Sequence, residues 1–138
     1  MSPHFTEICL PAYDDKMPEL SHWLLTAVAA AEIAEGHGAR LQLILEELFA
    51  NTIEHGFAGN SEQPVTVALT TRPTGVTLRY CDRAPPFDPT AARPLEPDDE
   101  RIGGFGLNLI RAMSSAIRYR RDADCNITEL DFDFSAYP

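Results

Sequence analysis

The sequence predicts an α/β (α+β) two-layer sandwich, with a mixed, largely antiparallel sheet of about five strands and helices on one face. Three observations carry this expectation. Short runs alternate apolar and polar residues with period two, three longer segments repeat apolar residues at helical spacing, and the strands meet through hairpin turns instead of regular strand–helix–strand alternation. A chain of 138 residues with 44% hydrophobic content fits a single domain over 1–138, large enough to bury a core.

In chain order, His4 to Ala12 alternate around Phe5, Ile8 and Leu10 and read as a first strand. Asp14 or Asp15 can cap a helix running through Met17, Leu20, Trp23, Leu24 and Val28 to Ala31. The apolar face of that helix is wide enough either to be all core or to share part of itself with a second subunit. Glu35-Gly-His-Gly38 reads as a break, followed by a helix from about Ala39 to His55. Its stripe is Leu41, Ile44, Leu45, Leu48 and Phe49, with Gly56 as the stop. A polar loop over Gly56 to Pro64 leads to Val65–Leu69 and Gly75–Tyr80, two alternating runs joined by Arg72-Pro-Thr-Gly75 as a hairpin. Asp82 sits just past the second run. Pro85 to Asp99, rich in proline and acid, reads as a loop ending at Gly103 and Gly104. Helical spacing resumes over Phe105 to Ser115, and two last strands, Ala116–Arg120 and Ile127–Phe134, close around the turn Asp122–Asn126.

The formal charge of −10, from 21 acidic against 11 basic residues, repels a phosphate backbone, so nucleic acid is a poor candidate partner. No apolar run approaches the ~18 residues that span a bilayer, and the N-terminus shows no basic region followed by an apolar one, so a cytoplasmic protein away from membranes is expected. Cys9, Cys81 and Cys125 are odd in number and far apart, which argues against a disulfide framework or a CxxC metal site and for small, buried or half-buried apolar residues.

Three stretches carry candidate chemistry. Glu47 and Asn51 are one above the other at i and i+4, on the border of the second helix's apolar stripe, where a cleft can open. Asn51 offers a neutral oxygen to a hard cation, and Mg²⁺ takes only one or two protein oxygens when nucleotide phosphates and water complete its shell. Glu47 is placed to orient or deprotonate an attacking hydroxyl or water. Asp82, held at a strand end, is either a turn residue or an acceptor for the exocyclic amine of adenine. Gly103, Gly104 and Gly106 leave backbone N–H groups open at a helix start, which suits a flexible loop or a phosphate cradle.

The ordered set Glu47-x-x-x-Asn51, then Asp82-x-Ala84 with Phe87-Asp88, then Gly103-Gly104-x-Gly106-Leu107-x-Leu109-Ile110 resembles the histidine-kinase-like ATPase superfamily with the Bergerat nucleotide fold. Within it, the small size and the Glu-x-x-x-Asn-x-x-x-His-Gly form are similar to the bacterial anti-sigma-factor serine/threonine kinases. The resemblance runs from about residue 5 to residue 134. It implies an ATP- and Mg²⁺-dependent kinase that phosphorylates a STAS-type anti-sigma-factor antagonist, with a sigma factor as a second partner and a homodimer as a frequent state. It also implies Glu47 as general base, Asn51 as metal ligand, Asp82 as adenine reader, and Gly104 and Gly106 as phosphate cradle. Ala84, Phe87, Gly103, Phe105 and Leu107 then belong to the ATP site, and Arg101 is either a γ-phosphate contact or a solvated loop charge. Asn126–Leu130 resembles the family's closing strand, with a structural task.

Two departures stand out. Ala84 replaces the family's usual glycine beside the adenine, where a methyl group can tilt the base, and the segment from Asp88 to Ile102 is short and acidic for an ATP lid. His55 fits either a functional role or a local hydrogen bond at the helix end. A second function class therefore stays open beside the kinase: a nucleotide-dependent binding module that sequesters a regulator without phosphoryl transfer. A detached sensor-kinase catalytic domain fits less well, since no phosphoacceptor-helix segment is present.

Overall fold

The computed structural model describes residues 3–90 and 105–134, with only the backbone of Phe105, Gly106 and Leu107. Five strands, β1 (Phe5–Ala12), β2 (Ser61–Arg72), β3 (Gly75–Asp82), β4 (Ala116–Asp122) and β5 (Cys125–Asp133), form one sheet in the order β1-β2-β3-β5-β4. All four pairings are antiparallel, so the sheet is not mixed as expected. The connections explain this. Between β1 and β2 the chain makes two helical traverses, α1 (Met17–Ala30) and α2 (Glu35–Asn51), and returns to the end it left, where Ala12 pairs with Ser61. One traverse, α3 (Phe105–Met113), leads from β3 to β4, which therefore run in the same direction, but β5 enters between them and pairs antiparallel with both.

Alternation does the sorting. Val65, Val67 and Leu69 of β2, Val76, Leu78 and Tyr80 of β3, and Leu130 and Phe132 of β5 are buried in one cluster with Leu20 and Leu24 of α1, Leu41, Ile44, Leu45 and Phe49 of α2, and Ile110 of α3. The opposite strand positions, such as Glu7, Thr70 and Arg118, stay exposed. No described helix is long and apolar enough to cross a membrane.

Several boundaries differ from the sequence expectation. A 3₁₀ turn, Asp14–Lys16, precedes α1, and neither aspartate caps it through its side chain; Pro18 in the first turn sets the start instead. The break between the first two helices lies at 31–34, with Glu32 in the left-handed region at φ 60°, and Glu35 already belongs to α2. Gly38 is not a breaker: it is where α2 meets α1, since a Cβ there would stand 2.8 Å from Val28 Cγ1. At its other end α2 widens into a π turn, Thr52–Gly56, that ends at Gly56 without a left-handed glycine cap, and the chain reverses beyond it at Ala58 (φ 57°) and Gly59 (φ 139°). β2 begins at Ser61, inside the stretch read as loop.

Candidate functional site

The C-terminal end of α2, its π turn, the ends of β3 and β5, the loop after β3 and α3 surround a pocket of about 230 Å³. Asn51, Asp82, Ala84 and Phe87 all line it. So do residues that the sequence reading did not assign to a site, among them Thr52, Tyr80, Pro85, Asn126 and Thr128. Glu47, half-buried one turn before Asn51, is not part of the lining. His55 is, and its Nε2 lies 3.8 Å from the Glu54 carboxylate, beyond hydrogen-bond distance, so this contact is not the local hydrogen bond considered for it. Arg101, Gly103 and Gly104 lie outside the described residues, and Phe105, Gly106 and Leu107 are placed only as the first turn of α3.

Asp82 is the centre of the polar network. It is only 9% exposed, and burying a carboxylate without partners costs several kcal/mol, on the order of the ionic desolvation penalty. Three donors supply them. Oδ1 accepts from the Ala84 amide at 3.2 Å and the Asn126 carboxamide at 2.9 Å. Oδ2 accepts from the Thr52 hydroxyl at 2.9 Å. A carboxylate has about four acceptor positions, so one remains, on Oδ2 of a pocket-lining residue.

The π turn is what brings Thr52 here. Its hydroxyl also lies 2.7 Å from the Tyr80 hydroxyl and 3.0 Å from the Leu48 carbonyl, which already takes the Thr52 N–H. One hydroxyl carries one proton, so with Thr52 donating to Asp82 the Tyr80 hydroxyl donates to Thr52 Oγ1 or to the Leu48 carbonyl 3.2 Å away. Tyr80 keeps its proton for this: burial first, then the Asp82 carboxylate, push its phenol well above the usual value, outweighing the opposing Thr52 hydrogen bond.

Asn126 fastens the pocket wall. Its amide group also donates to the Ala84 and Pro85 carbonyls, each at 3.1 Å, while its oxygen accepts from the Tyr119 hydroxyl and the Phe87 amide. Arg121 donates to the Ala84 carbonyl at 2.8 Å, and Arg111 of α3 donates to the Pro89 carbonyl at 2.9 Å. The loop after β3 is thereby tied to β4, β5 and α3. The closing strand, expected to have a structural task, thus also lines the pocket through Asn126 and Thr128. The only available sequence signal was a polar residue, Asn126 or Thr128, recurring at the inward positions of a strand whose other inward residues are Leu130 and Phe132.

Ala84 is buried at 3% exposure against the π turn: a Cβ on Gly56 would stand 2.8 Å from the Ala84 Cβ. The Ala84 methyl group is thus accommodated by a glycine across the pocket wall. Among the described residues no cluster of three or more His, Cys, Asp or Glu could hold a metal. Asn51 contributes a neutral side-chain oxygen to the lining.

The model of the histidine kinase-like ATPase domain matches residues 10–132. The serine/threonine-protein kinase BtrW of Bordetella bronchiseptica is 35% identical over 89 residues, a stretch covering 59% of this chain and 60% of that protein. Among solved structures, the RsbU and RsbW domains of Rv1364c from Mycobacterium tuberculosis share the fold at a TM-score of 0.64 and 20% identity, over 94% of this chain and 32% of that one. The SiaB–SiaC complex from Pseudomonas aeruginosa does so at 0.60 and 15%, over 92% and 88%. The motifs, the antiparallel sheet with helices on one face, and a family match over nearly the whole length agree: this chain belongs to the histidine kinase-like ATPase domain family.

Proposed function

We propose that this chain is an ATP-dependent serine/threonine protein kinase whose substrate is a STAS-type antagonist of an anti-sigma factor. The observation that carries the reading is the Asp82 network, three donors leaving one carboxylate acceptor at the wall of an otherwise largely closed polar shell. One acceptor suits one N–H of adenine's amine, whereas guanine presents a carbonyl oxygen there and would meet a carboxylate. The 35% identity to a protein named as a serine/threonine kinase supports the same class.

In this reading Ala84, Phe87 and Ile110 flank the base and Asn51 is the metal ligand. Magnesium bound with the nucleotide would neutralise the polyphosphate, which a chain of net charge −10 cannot do by itself. Gly106, in the first turn of α3, and Gly104 are the proposed phosphate cradle, and Arg101, Gly103, Phe105 and Leu107 are further proposed ATP contacts. Glu47 lies four residues, ~6 Å of helix rise, before Asn51. There it takes the proton of the partner's hydroxyl as that oxygen attacks the γ-phosphorus, the bond to the β-phosphate oxygen breaks and ADP leaves. A sigma factor and a second copy of the chain are further proposed partners.

The position of Glu47 outside the pocket lining favours one other reading, a binding module gated by ATP without transfer. Labelled ATP, Mg²⁺ and a STAS-domain protein encoded near this chain's gene separate the two. The kinase reading expects label on a partner serine or threonine, and Glu47→Gln should abolish it with ATP affinity kept within about threefold, as for a group acting only in the transition state. ATP binding by the wild type with no label on any such partner would establish the binding module.

A further inference from the structure

Cys81 and Cys125 lie on neighbouring strands, and each adjoins one member of the Asp82–Asn126 pair in sequence. Asp82 faces Asn126 directly across β3 and β5, and their side chains bond on the pocket side. One residue back, Cys81 faces Ile127, so its side chain is on the opposite surface of the sheet, and Cys125, two residues from Ile127, shares that surface. The two thiols are thus diagonal neighbours behind the pocket, close enough to interact electrostatically, and both are half-buried and free. Cys9 is on the same surface but two strands from β3, paired with Thr66, and is exposed.

We infer that Cys81 and Cys125 form a reversible intramolecular disulfide that alters the Asp82–Asn126 contact and with it the pocket. Diagonal neighbours on an antiparallel pair stand ~7–8 Å apart at Cα, and a disulfide requires ~4.4–6.8 Å. Closure therefore draws the end of β3 and the start of β5 together by on the order of 1 Å. Cys81 is one residue from the end of β3, and Cys125 is the first residue of β5, directly after the turn 123–124.

The oxidant is a low-molecular-weight disulfide. The Cys125 thiolate, at the hairpin end, attacks one of its sulfurs, making a mixed disulfide and releasing one thiol. Cys81, giving its proton to solvent, then attacks the Cys125 sulfur and expels the second thiol, which takes up a proton. Two protein thiols are oxidised and one external disulfide becomes two thiols. Burial holds the Cys81 thiol up despite the nearby Arg79 and Arg120, which suits the second, intramolecular attack better than the first.

The test uses the whole chain with glutathione disulfide as the oxidant. Free thiols should fall from three to one, the chain should stay a monomeric species on non-reducing gels with the mass of two hydrogens lost, and dithiothreitol should restore all three. Cys125→Ser should prevent the internal bridge, Cys81→Ser should stop at a glutathione adduct on Cys125 seen by mass, and Cys9→Ser should still close the bridge. Oxidation should also shift the Asn126 side-chain amide and Ala84 backbone amide in ¹⁵N spectra, a readout that needs no nucleotide. Three thiols remaining, cross-linked chains only, or a closed disulfide with both resonances unmoved would each overturn the inference. Its nucleotide consequence rests on the function proposed above: ADP affinity should fall by on the order of tenfold, the scale of a hydrogen bond to a charged group. If the reduced protein binds no adenine nucleotide, that function fails, while the thiol count and the two resonances still decide the switch.

Discussion

Gly56 and Ala84 show how a single atom is decided by a residue 28 positions away. Read along the chain, Gly56 is a helix terminator, because glycine after an apolar periodic run usually is. In space it is the last residue of a π turn, its φ is not left-handed, and what it also provides is room for the Ala84 methyl. The two substitutions are therefore coupled. Gly56→Ala forces two Cβ atoms to 2.8 Å, and since neither can rotate away the backbone must move, at a cost of about 1–3 kcal/mol. Ala84→Gly removes the clash, so the double variant should recover at least half of the loss in urea unfolding at unchanged m-value. Additive effects would show that the contact is not what fixes Gly56. The same blindness hid Thr52 and Tyr80. Each is an ordinary polar residue in its own segment, and only the pairing of a π turn with a strand end brings them together beside Asp82.

At the scale of the element, α2 was legible in its middle and not at its start. Leu41, Ile44, Leu45 and Phe49 repeat at helical spacing and are all buried, because burial of that stripe is what stabilises the helix. Glu35-Gly-His-Gly38 has no apolar stripe and two poor helix formers, so propensity points to a break; tertiary packing overrides it through Gly38, which admits Val28. The two glycines should respond in opposite ways. A Cβ at Gly36 meets nothing within 4 Å and its φ is not left-handed, so Gly36→Ala should stabilise the protein by about 0.5–1 kcal/mol. Gly38→Ala gains the same propensity but presses on Val28, a stiff β-branched side chain, and should give no net gain until Val28→Ala opens the space. Thermal melts of the four variants check this. A stabilised Gly38→Ala would mean that α1 and α2 can separate freely.

The architecture of the whole molecule follows from its connections, which is why it could be anticipated: hairpin turns force antiparallel neighbours, and only the entry of β5 between β3 and β4, which removes the parallel pairing, is invisible in a pattern of alternation. The pocket is the reverse case. Asp82 and Asn126 are 44 residues apart, and no local period relates them. Because α2, β3, β5 and α3 all contribute lining, a ligand held there bridges most of the fold, and its binding free energy should appear as global stability. At 100 times its Kd a nucleotide adds about 2.7 kcal/mol, which for a chain of this size corresponds to a rise in Tm of roughly 8–13 °C. ATP with Mg²⁺ should give that shift, and GTP at the same concentration should give less than a third of it, since the remaining Asp82 acceptor meets an amine in one base and a carbonyl in the other. Removing the metal with a chelator should reduce the ATP shift without lowering the Tm of the protein alone, because among the described residues no cluster of acidic, histidine or cysteine side chains could hold a structural ion. Equal shifts from both nucleotides would leave the polyphosphate as the whole of the recognition and remove Asp82 from it.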